Sequence, residues 1–397
     1  MKILFMGWNS LGQRDIRAEF ERRGWEVVYY TFPRETDNTR LNRDLCEKLI
    51  RNIASDNFEF VFSFNYFPVI SIACNACGVK YVSWTFDSPF IQLYSNTIKF
   101  PYNYVFIFDK GTCEDLWRQG VDTVYHLPMA APVERYDTYS LSENEREFYQ
   151  TEIAFVGSTY SEKKNRFYER LGSVCDYTKG YLEGCMQMQK QIYGEFLLER
   201  MLKPEIMEDI MHHYPLVVNQ DGFERLEWVY AHYFLARQIT ALERKEILEL
   251  LSREHRVDLY TYEDTPKLPK VRNRGTAEVM EEAPKIYRCV KINLNISLKS
   301  ILTGIPLRAF EIMGSGGFLL SNYQRDFEEC FCNGADYVYY TDYEDLVEKV
   351  EYYLSHEKEC KEIARNGYEN VKKNHTYRNR VDVIMEIINE GERNFAG

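Results

Sequence analysis

The sequence predicts an α/β protein with two doubly wound domains, each built on a parallel sheet. In the first half, apolar runs of strand length alternate with amphipathic helical segments, starting with the run at residues 2–6. The alternation begins again at residue 151, after a polar stretch with several prolines at 128–150. Parallel neighbours need crossover connections, and the intervening helices supply them. A length of 397 residues fits two domains.

These patterns also predict the domain limits. The N-terminal domain spans residues 1–135, a linker spans 136–150, and the C-terminal domain spans 151–380. Within the second domain, residues 181–255 carry apolar positions at i, i+3 and i+4 and form a helical insertion. A last amphipathic helix, 381–397, is predicted to pack across the domain junction.

Charge and hydropathy exclude several classes of partner. The net charge is −12 and the basic residues are scattered, whereas nucleic acid and anionic membranes require clustered Lys and Arg. No apolar segment approaches the length of a membrane span, and residues 1–6 lack the flanks of a signal peptide. We therefore expect a cytoplasmic protein with no nucleic-acid partner and no membrane span.

Ten cysteines are irregularly spaced, which indicates reduced thiols rather than a disulfide framework. Cys74 and Cys77 form a C-x-x-C, and Cys330 with Cys332 forms a C-x-C, so four thiolates could hold zinc. Because Cys74 lies in an apolar run that ends at a glycine, buried structural thiols are the favoured interpretation.

The segment 305–320, IPLRAFEIMGSGGFLL, carries the main candidate site. Its apolar residues recur at helical spacing, which places Arg308 and Glu311 together on another face near a helix start. A helix N-terminus favours anions, so Arg308 would complete a phosphate site and Glu311 could accept bonds from ribose hydroxyls. The alternative is a surface Arg–Glu pair beside a helix-ending glycine.

A second glycine turn follows the first strand of the C-terminal domain. In the run EIAFVGSTYSEKKNRF, the amides of Gly157 and Ser158 could meet a diphosphate, with Lys163 or Lys164 adding charge. Solvated lysines on a helix explain the same pattern. The proline- and charge-rich loop 263–274 is long enough to be a binding loop.

The loop Trp84–Pro89 directly follows a predicted strand of the first domain. Asp87 lies at the strand's carboxyl end between aromatic residues, where desolvation would raise its pKa and make it a general base. The alternative is an Asx-turn aspartate that only bonds the loop backbone. Asn65 and Ser88 lie at comparable positions, and with Trp84 they are our acceptor-side candidates.

The same residues carry a family resemblance. Phe62–Asn65 and Trp84-x-x-Asp87-Ser88-Pro89 resemble the N-terminal domain called DUF3880. Four further motifs resemble the C-terminal domain of CgeB-like (spore maturation protein) glycosyltransferases. They are Lys291–Asn295, Gly304–Glu311, Gly316–Leu320 and His375–Tyr377.

This resemblance implies a GT-B glycosyltransferase, with the nucleotide-sugar donor on the second domain and a glycan, polymer or protein acceptor on the first. Glu311 matches the ribose-binding glutamate of the family's E-x7-E pattern, whereas Thr303 stands at the pattern's first position. Asn295 lies in a matching motif, and Lys164, Lys299 and Arg308 would stabilise the leaving diphosphate.

The resemblance implies a hexosyltransferase that needs no cofactor and no obligatory metal, with UDP-sugar as the favoured donor. The sequence agrees on the metal, because no D-x-D pair stands at a strand end to hold a cation. A nucleotide-sugar-binding or scaffold protein without catalysis is the alternative that Thr303 motivates. An NAD-dependent oxidoreductase is disfavoured because the turn at Gly7–Gly12 lacks the G-x-G-x-x-G spacing.

Overall fold

The computed structural model describes residues 1–34, 38–265 and 267–395. Internal contacts divide the chain into two compact units. The first unit comprises Met1–Ala130, Val218–Glu224 and His375–Gly397, and the second comprises Ala131–Val217 and Arg225–Asn374. Pro266 of the predicted binding loop and residues 396–397 of the predicted last helix lie outside the described residues.

The first unit is built on six parallel strands in the order β2-β1-β3-β4-β5-β6. The strands are β1 Lys2–Gly7, β2 Glu26–Thr31, β3 Phe60–Phe64, β4 Lys80–Thr85, β5 Asn103–Ile107 and β6 Val124–His126. The helices of this unit are α1 Gln13–Arg22, α2 Arg43–Ile53, α3 Pro68–Cys77 and α4 Lys110–Arg118, with 3₁₀ turns at Ile91–Tyr94 and Asn96–Lys99. Strand β3 is buried along its whole length, as expected of a strand covered on both faces.

The second unit is also a six-stranded parallel sheet, in the order β12-β11-β10-β7-β8-β9. Its strands are β7 Thr151–Val156, β8 Val257–Tyr260, β9 Arg272–Asn273, β10 Val290–Asn295, β11 Leu319–Asn322 and β12 Val338–Tyr340. The α/β class with two doubly wound parallel sheets is therefore confirmed.

Helices precede and follow β7 in the second unit. They are α5 Val133–Asp137, α6 Glu143–Tyr149, α7 Asp176–Lys190, α8 Leu198–Met201, α9 Pro204–His213, α10 Leu226–Val229, α11 Ala236–Leu251, α12 Glu282–Cys289, α13 Leu307–Gly314, α14 Phe327–Cys330, α15 Tyr343–Ser355 and α16 Glu357–Asn374. A π-helical turn at Tyr230–Leu235 joins α10 to α11, and 3₁₀ turns lie at Lys163–Asn165 and Tyr168–Leu171. The insertion has its own apolar cluster, which includes Leu182, Ile206 and Tyr230.

The polar stretch 128–150, whose second part is the predicted linker, contains two helices, α5 and α6. Helix α6 begins with a capping box, in which Ser142 and Glu145 each satisfy the other's backbone amide. The S-x-x-E spacing that signals this start is present in the sequence, but the helix carries one buried residue, Tyr149, and so shows no apolar period.

The last helix, α17 Tyr377–Phe395, packs within the first unit. Val381, Ile384 and Ile388 join the apolar cluster under the first sheet. Arg23, the C-cap residue of α1, forms an ion pair with Asp382 at 2.8 Å. The C-terminal segment of the chain therefore packs against the first sheet, which the N-terminal residues form.

A buried ion network binds the segment Val218–Glu224 to the first unit. Arg40 donates to Asp221 at 2.9 Å and to Glu224 at 3.1 Å, and all three side chains are largely buried. Backbone bonds from Asn96 to Asp221 and from Phe223 to Tyr94 complete the attachment. The helical insertion therefore sends one loop back onto the first sheet unit, which its apolar pattern did not predict.

We predict that Arg40→Met lowers the free energy of unfolding by about 3–5 kcal/mol, because it leaves two buried carboxylates without their cation. Urea denaturation of the whole chain measures the change. Arg43→Met is the control, since Arg43 is 90% exposed in its pair with Glu47 and its loss should cost less than about 0.5 kcal/mol. Equal midpoints for the two variants would contradict the structural role of Arg40.

Candidate functional site

The strand order of the second sheet creates a crevice at one point of its carboxyl edge. Strands β7 and β10 are neighbours, and the chain leaves β7 toward β8 but leaves β10 toward β11 on the other side. Ligands of doubly wound sheets bind at such a switch point, outside the carboxyl ends of the strands. The residues that follow β7 and β10 begin at Gly157 and Ile296.

Gly157 is required here for its missing side chain. Its φ of 147° is a conformation that other residues rarely adopt, and a Cβ atom would lie 2.4 Å from Nη2 of Arg308. Its amide already donates to the carbonyl of Tyr260 at 2.9 Å, so the prediction that this amide meets a diphosphate is wrong. The amides of Ser158 and Thr159 have no acceptor within the described residues.

Arg308 lies in the first turn of α13, beside this loop. Its Nη1 donates to Oδ1 of Asn295 at 3.1 Å, and its guanidinium carbon lies 4.6 Å from the centre of the Phe155 ring. Pro306 precedes the helix without a side-chain cap, and the amide of Ala309 donates to the Pro306 carbonyl at 3.0 Å. The amides of Leu307 and Arg308, in the first turn of α13, have no intrahelical acceptor.

Arg308 and Glu311 do not pair with each other. No carboxylate lies within ion-pairing distance of Arg308 in the described part of the chain, so the alternative of a surface Arg–Glu pair is wrong. Glu311 is half-buried. The pKa of the Tyr287 phenol is raised by the burial of that phenol and then by the negative charge of Glu311.

Arg244 of α11 is a site residue that the sequence reasoning missed. It is 3% exposed, and its guanidinium carbon lies 5.0 Å from the ring of Phe155, the ring that Arg308 also covers. Its donors reach the carbonyl of Ser158 at 2.6 Å and that of Ile296. Arg244 lies within the apolar period of a long helix, so its sequence context resembles a helix interior.

The other predicted donor-side residues have local partners. Ser158 donates its hydroxyl to Glu162, and the exposed Lys164 lies 5.0 Å from the ring of Tyr262, which raises the pKa of Lys164 by hydrogen bonding. Lys299 is buried against Glu243 at 3.3 Å, and burial lowers its pKa. Its charge is therefore matched inside the unit, so the expectation that Lys299 supplies charge to the diphosphate is not supported by its position.

A cavity of about 440 Å³ adjoins the loop after β7. Thr159, Tyr160 and Ser161 form one wall, and Gln238 and Lys245 of α11 form another. The predicted binding loop lines the cavity with Glu263, Asp264, Thr265, Lys267 and Leu268. The volume lies in the range of small-molecule sites.

The first sheet has its own switch point, between β1 and β3. Asn65 follows β3 with a φ of 60°, and its Oδ1 accepts from the amides of Phe86 at 2.9 Å and Asp87 at 3.2 Å. The side chain of Asn65 is fully buried. It holds the loop after β4 in place and presents Asp87 at the carboxyl edge of the sheet.

Asp87 is 44% exposed and is ion-paired rather than desolvated. Its Oδ2 accepts from Arg34 at 2.8 Å and from Nδ2 of Asn65 at 2.9 Å, whereas Oδ1 has no partner in the described residues. Arg34 itself lies 4.0 Å above the ring of Trp8. The predicted desolvation of Asp87 is wrong, because a cation and an amide flank the carboxylate.

The two remaining acceptor-side candidates differ in access. Trp84 has no exposed surface, donates to the carbonyl of Leu127 at 3.2 Å and packs on Tyr377, so it offers no direct contact to an acceptor. Ser88 is half-buried and precedes Pro89 through a cis peptide bond. The aromatic residues around Asp87 therefore form the core beneath the loop rather than a wall around the carboxylate.

All ten cysteines are free thiols. Cys74 is buried in α3, and burial raises its pKa, whereas Cys175 and Cys332 are exposed. Among the described residues, no group of three or more His, Cys, Asp or Glu side chains is arranged to hold a metal ion. No helix in the same part of the chain is long and apolar enough to cross a membrane.

Comparisons with known proteins agree with this architecture. A family model described as glycosyl transferase-like matches residues 237–386. The structure is similar to Anabaena HepE in complex with UDP-glucose, with a TM-score of 0.56 and 9% identity over 98% of this chain and 100% of that one. The structure is also similar to that of a glycosyltransferase from Rickettsia africae, with a TM-score of 0.52 and 11% identity over 99% of each chain. No curated protein sequence matches.

The chain has the GT-B fold. Sucrose-phosphate synthase from Thermosynechococcus elongatus is a further similar structure, with a TM-score of 0.52 and 11% identity over 98% of each chain. The family match runs from the start of α11 to the middle of α17 in this GT-B chain and so includes Arg244, Arg308 and Glu311.

We predict that Gly157→Ala lowers the free energy of unfolding by about 1–3 kcal/mol and displaces Arg308, because the methyl group occupies the place of its Nη2. Thermal denaturation measures the first effect and a crystal structure of the variant the second. Gly275→Ala is the matched control: its φ is 79° but no atom lies within 4 Å, so it should cost about 1 kcal/mol and leave Arg308 unmoved. An undisplaced Arg308 in the Gly157 variant would contradict the assignment.

Proposed function

We propose that this GT-B protein is a glycosyltransferase that moves a hexosyl group from a nucleotide-diphospho-sugar, with UDP-sugar favoured, to an acceptor hydroxyl. The observation that carries the proposal is the pair of arginines, Arg308 and Arg244, at the switch point of the second sheet. Neither has an ion-pairing carboxylate in the described part of the chain. An unmatched buried or half-buried cation is costly, and a diphosphate would supply the missing charge.

The diphosphate would bind between the loop after β7 and the start of α13. The amides of Ser158 and Thr159, the amides of Leu307 and Arg308 at the start of α13, and the guanidinium of Arg308 would donate to the phosphate oxygens. Charge grows on the diphosphate as the glycosidic bond breaks, and fixed donors at that position lower the barrier. These residues provide the charge without a metal ion in our scheme.

The nucleoside would extend from this point. Glu311, one turn along α13, would accept hydrogen bonds from the ribose hydroxyls. The adjoining cavity of about 440 Å³ has space for a base, and Tyr160 supplies an aromatic ring at the wall nearest the loop. Ser161, Gln238 and Asp264 offer donors and acceptors in that cavity, which is where selection among bases would occur.

The acceptor would bind on the first unit, with Asp87 as general base. Because Arg34 and Asn65 occupy Oδ2, the second oxygen, Oδ1, is the one that would take the proton of the acceptor hydroxyl. The oxygen of that hydroxyl then attacks the anomeric carbon as the nucleoside diphosphate leaves. This step inverts the anomeric centre, and Thr303 in place of the family's first glutamate is compatible with it.

The comparisons support the class of reaction. The family model is described as glycosyl transferase-like, and the HepE structure is a complex with UDP-glucose. The motif resemblance favours a CgeB-like enzyme with a DUF3880-like first domain, a cytoplasmic location and a glycan, polymer or protein acceptor.

A protein that binds a nucleotide sugar without transferring it is the second candidate. Thr303 is 5% exposed and has a hydroxyl where many members of the family have a carboxylate, which favours this alternative. Incubation with UDP-, GDP-, dTDP- and CDP-sugars separates the two functions. Slow hydrolysis of one donor indicates a transferase, and binding without any turnover indicates a binding protein.

We predict that Arg308→Met and Glu311→Ala each weaken donor binding by about 10-fold or more, because each removes hydrogen bonds to a charged or polyhydroxyl group, worth roughly 1.5–3 kcal/mol. Isothermal titration calorimetry with the donor measures the change. Glu344→Ala is the control, because Glu344 lies on α15 and should leave the affinity unchanged. Wild-type affinity in both site variants would remove the donor-site assignment.

We predict that Asp87→Asn lowers turnover on the true acceptor by about 100-fold to 10,000-fold while donor affinity stays at the wild-type value. Steady-state transfer assays measure this. Asp56→Asn is a matched control, because Asp56 is also ion-paired and 43% exposed but lies at the opposite edge of the same sheet, beside Lys2. Undiminished turnover in the Asp87 variant would exclude the base role.

A further inference from the structure

The helix α11 places a buried positive charge directly beneath the candidate diphosphate site. Arg244 is 3% exposed, yet it contacts no carboxylate in the described part of the chain. Within the residues that the structure describes, its nitrogens donate to two backbone carbonyls, those of Ser158 and Ile296. Buried cations in proteins are normally paired, so this one requires an explanation.

The carbonyls that Arg244 holds belong to the two loops of the switch point. Ser158 lies in the loop after β7, and Ile296 lies directly after β10. Arg244 therefore fixes the relative position of both loops by charge-assisted hydrogen bonds. The same helix adds a third attachment, because the hydroxyl of Thr240 accepts from the amide of Lys299 at 3.0 Å.

The titratable groups that act on Arg244 include Arg308 on α13, Glu243 on its own helix, and Glu162 and Tyr160 in the loop after β7. Burial, followed by the positive charge of Arg308, lowers the pKa of Arg244 to about 10. Glu243 is committed to Lys299, and Glu162 accepts from Ser158 and Asn165. Arg244 and Arg308 thus flank the Phe155 ring, and no carboxylate in the described part of the chain forms an ion pair with either of them.

We propose that Arg244 is a positioning residue for the donor diphosphate. It attracts the diphosphate from beneath the loop after β7, and it holds together the two loops that bind the diphosphate. The inference rests on the proposed function, since it names how that same site recognises its anion. Arg308 would touch the phosphates directly, and Arg244 would act through the field of its charge and through the carbonyl of Ser158. The ligand class that it selects is a nucleoside diphosphate over the bare nucleoside.

The experiment compares two ligands that differ only in their phosphates. The probe is whichever of UDP, GDP, dTDP and CDP raises the melting temperature of the whole wild-type chain most, together with its nucleoside. Arg244→Met keeps most of the side-chain volume and removes the charge. It should weaken binding of the diphosphate by about 10-fold or more and leave binding of the nucleoside within about 2-fold of wild type, as measured by calorimetry and NMR titration.

Arg244→Lys is the second variant, which restores the charge if the methionine variant fails to fold. A lysine beside Arg308 in this buried position has its pKa lowered by the same two causes, burial and a neighbouring cation. Diphosphate affinity should therefore be close to wild type at pH 6.5 and fall as the pH rises toward 9, whereas the wild type stays level over this range.

The outcomes distinguish the two proposals. If the wild type binds none of the four diphosphates, the donor-site proposal fails and this inference fails with it. If the wild type binds one of them, equal losses for diphosphate and nucleoside in Arg244→Met indicate a structural role only and overturn the inference alone. A level pH profile for Arg244→Lys overturns it as well, whereas selective loss of the diphosphate supports it.

Discussion

Two guanidinium groups of the second unit lie against one aromatic ring, and our proposal for the donor site depends on them. Arg308 and Arg244 lie 4.6 Å and 5.0 Å from the Phe155 ring, and neither has a carboxylate partner in the described chain. Like charges held close together repel, so the fold must maintain this arrangement at a cost in stability. An anionic ligand would offset this cost, because its negative charge would interact with both fixed positive charges.

The surrounding elements serve to keep these charges at the sheet edge. Gly157 gives Arg308 room because it has no Cβ atom, and Asn295 orients the same guanidinium from the end of β10. Arg244 is held from below by two carbonyls that the sheet topology brings together. In the first unit the same topological logic applies, since Asn65 at the β1/β3 switch point holds the loop that presents Asp87.

The sequence was most informative where function depends on local pattern. The alternation of strands and helices predicts both parallel sheets. The spacing of apolar residues predicts the helix that begins at Leu307, directly after Pro306. Asp87 and Arg308 could be named as candidates because ligands of doubly wound sheets bind outside the strand ends, and their roles stay predictions. Glycine 157 was also identified, although for its amide rather than for the space that it leaves.

What the sequence could not show depends on contacts between distant residues. Arg244 lies 64 positions before Arg308 and looks like a helix residue, so only the folded chain reveals that they flank one ring. The sequence predicted Lys299 as a source of charge for the diphosphate, but its ammonium group pairs with the carboxylate of Glu243 on α11. Trp84 appears available beside Asp87 but points into the core, and Arg40 shows no sign of its buried partners Asp221 and Glu224.

The central claim is that the second unit binds an activated sugar by its diphosphate at the β7/β10 switch point. A crystal structure of the chain with a bound nucleotide-diphospho-sugar tests it most directly. The account predicts phosphate oxygens within hydrogen-bonding distance of the Arg308 guanidinium and the Ser158 amide, with the ribose near Glu311. A donor bound elsewhere on the chain, with Arg308 still directed only at Asn295, would contradict it.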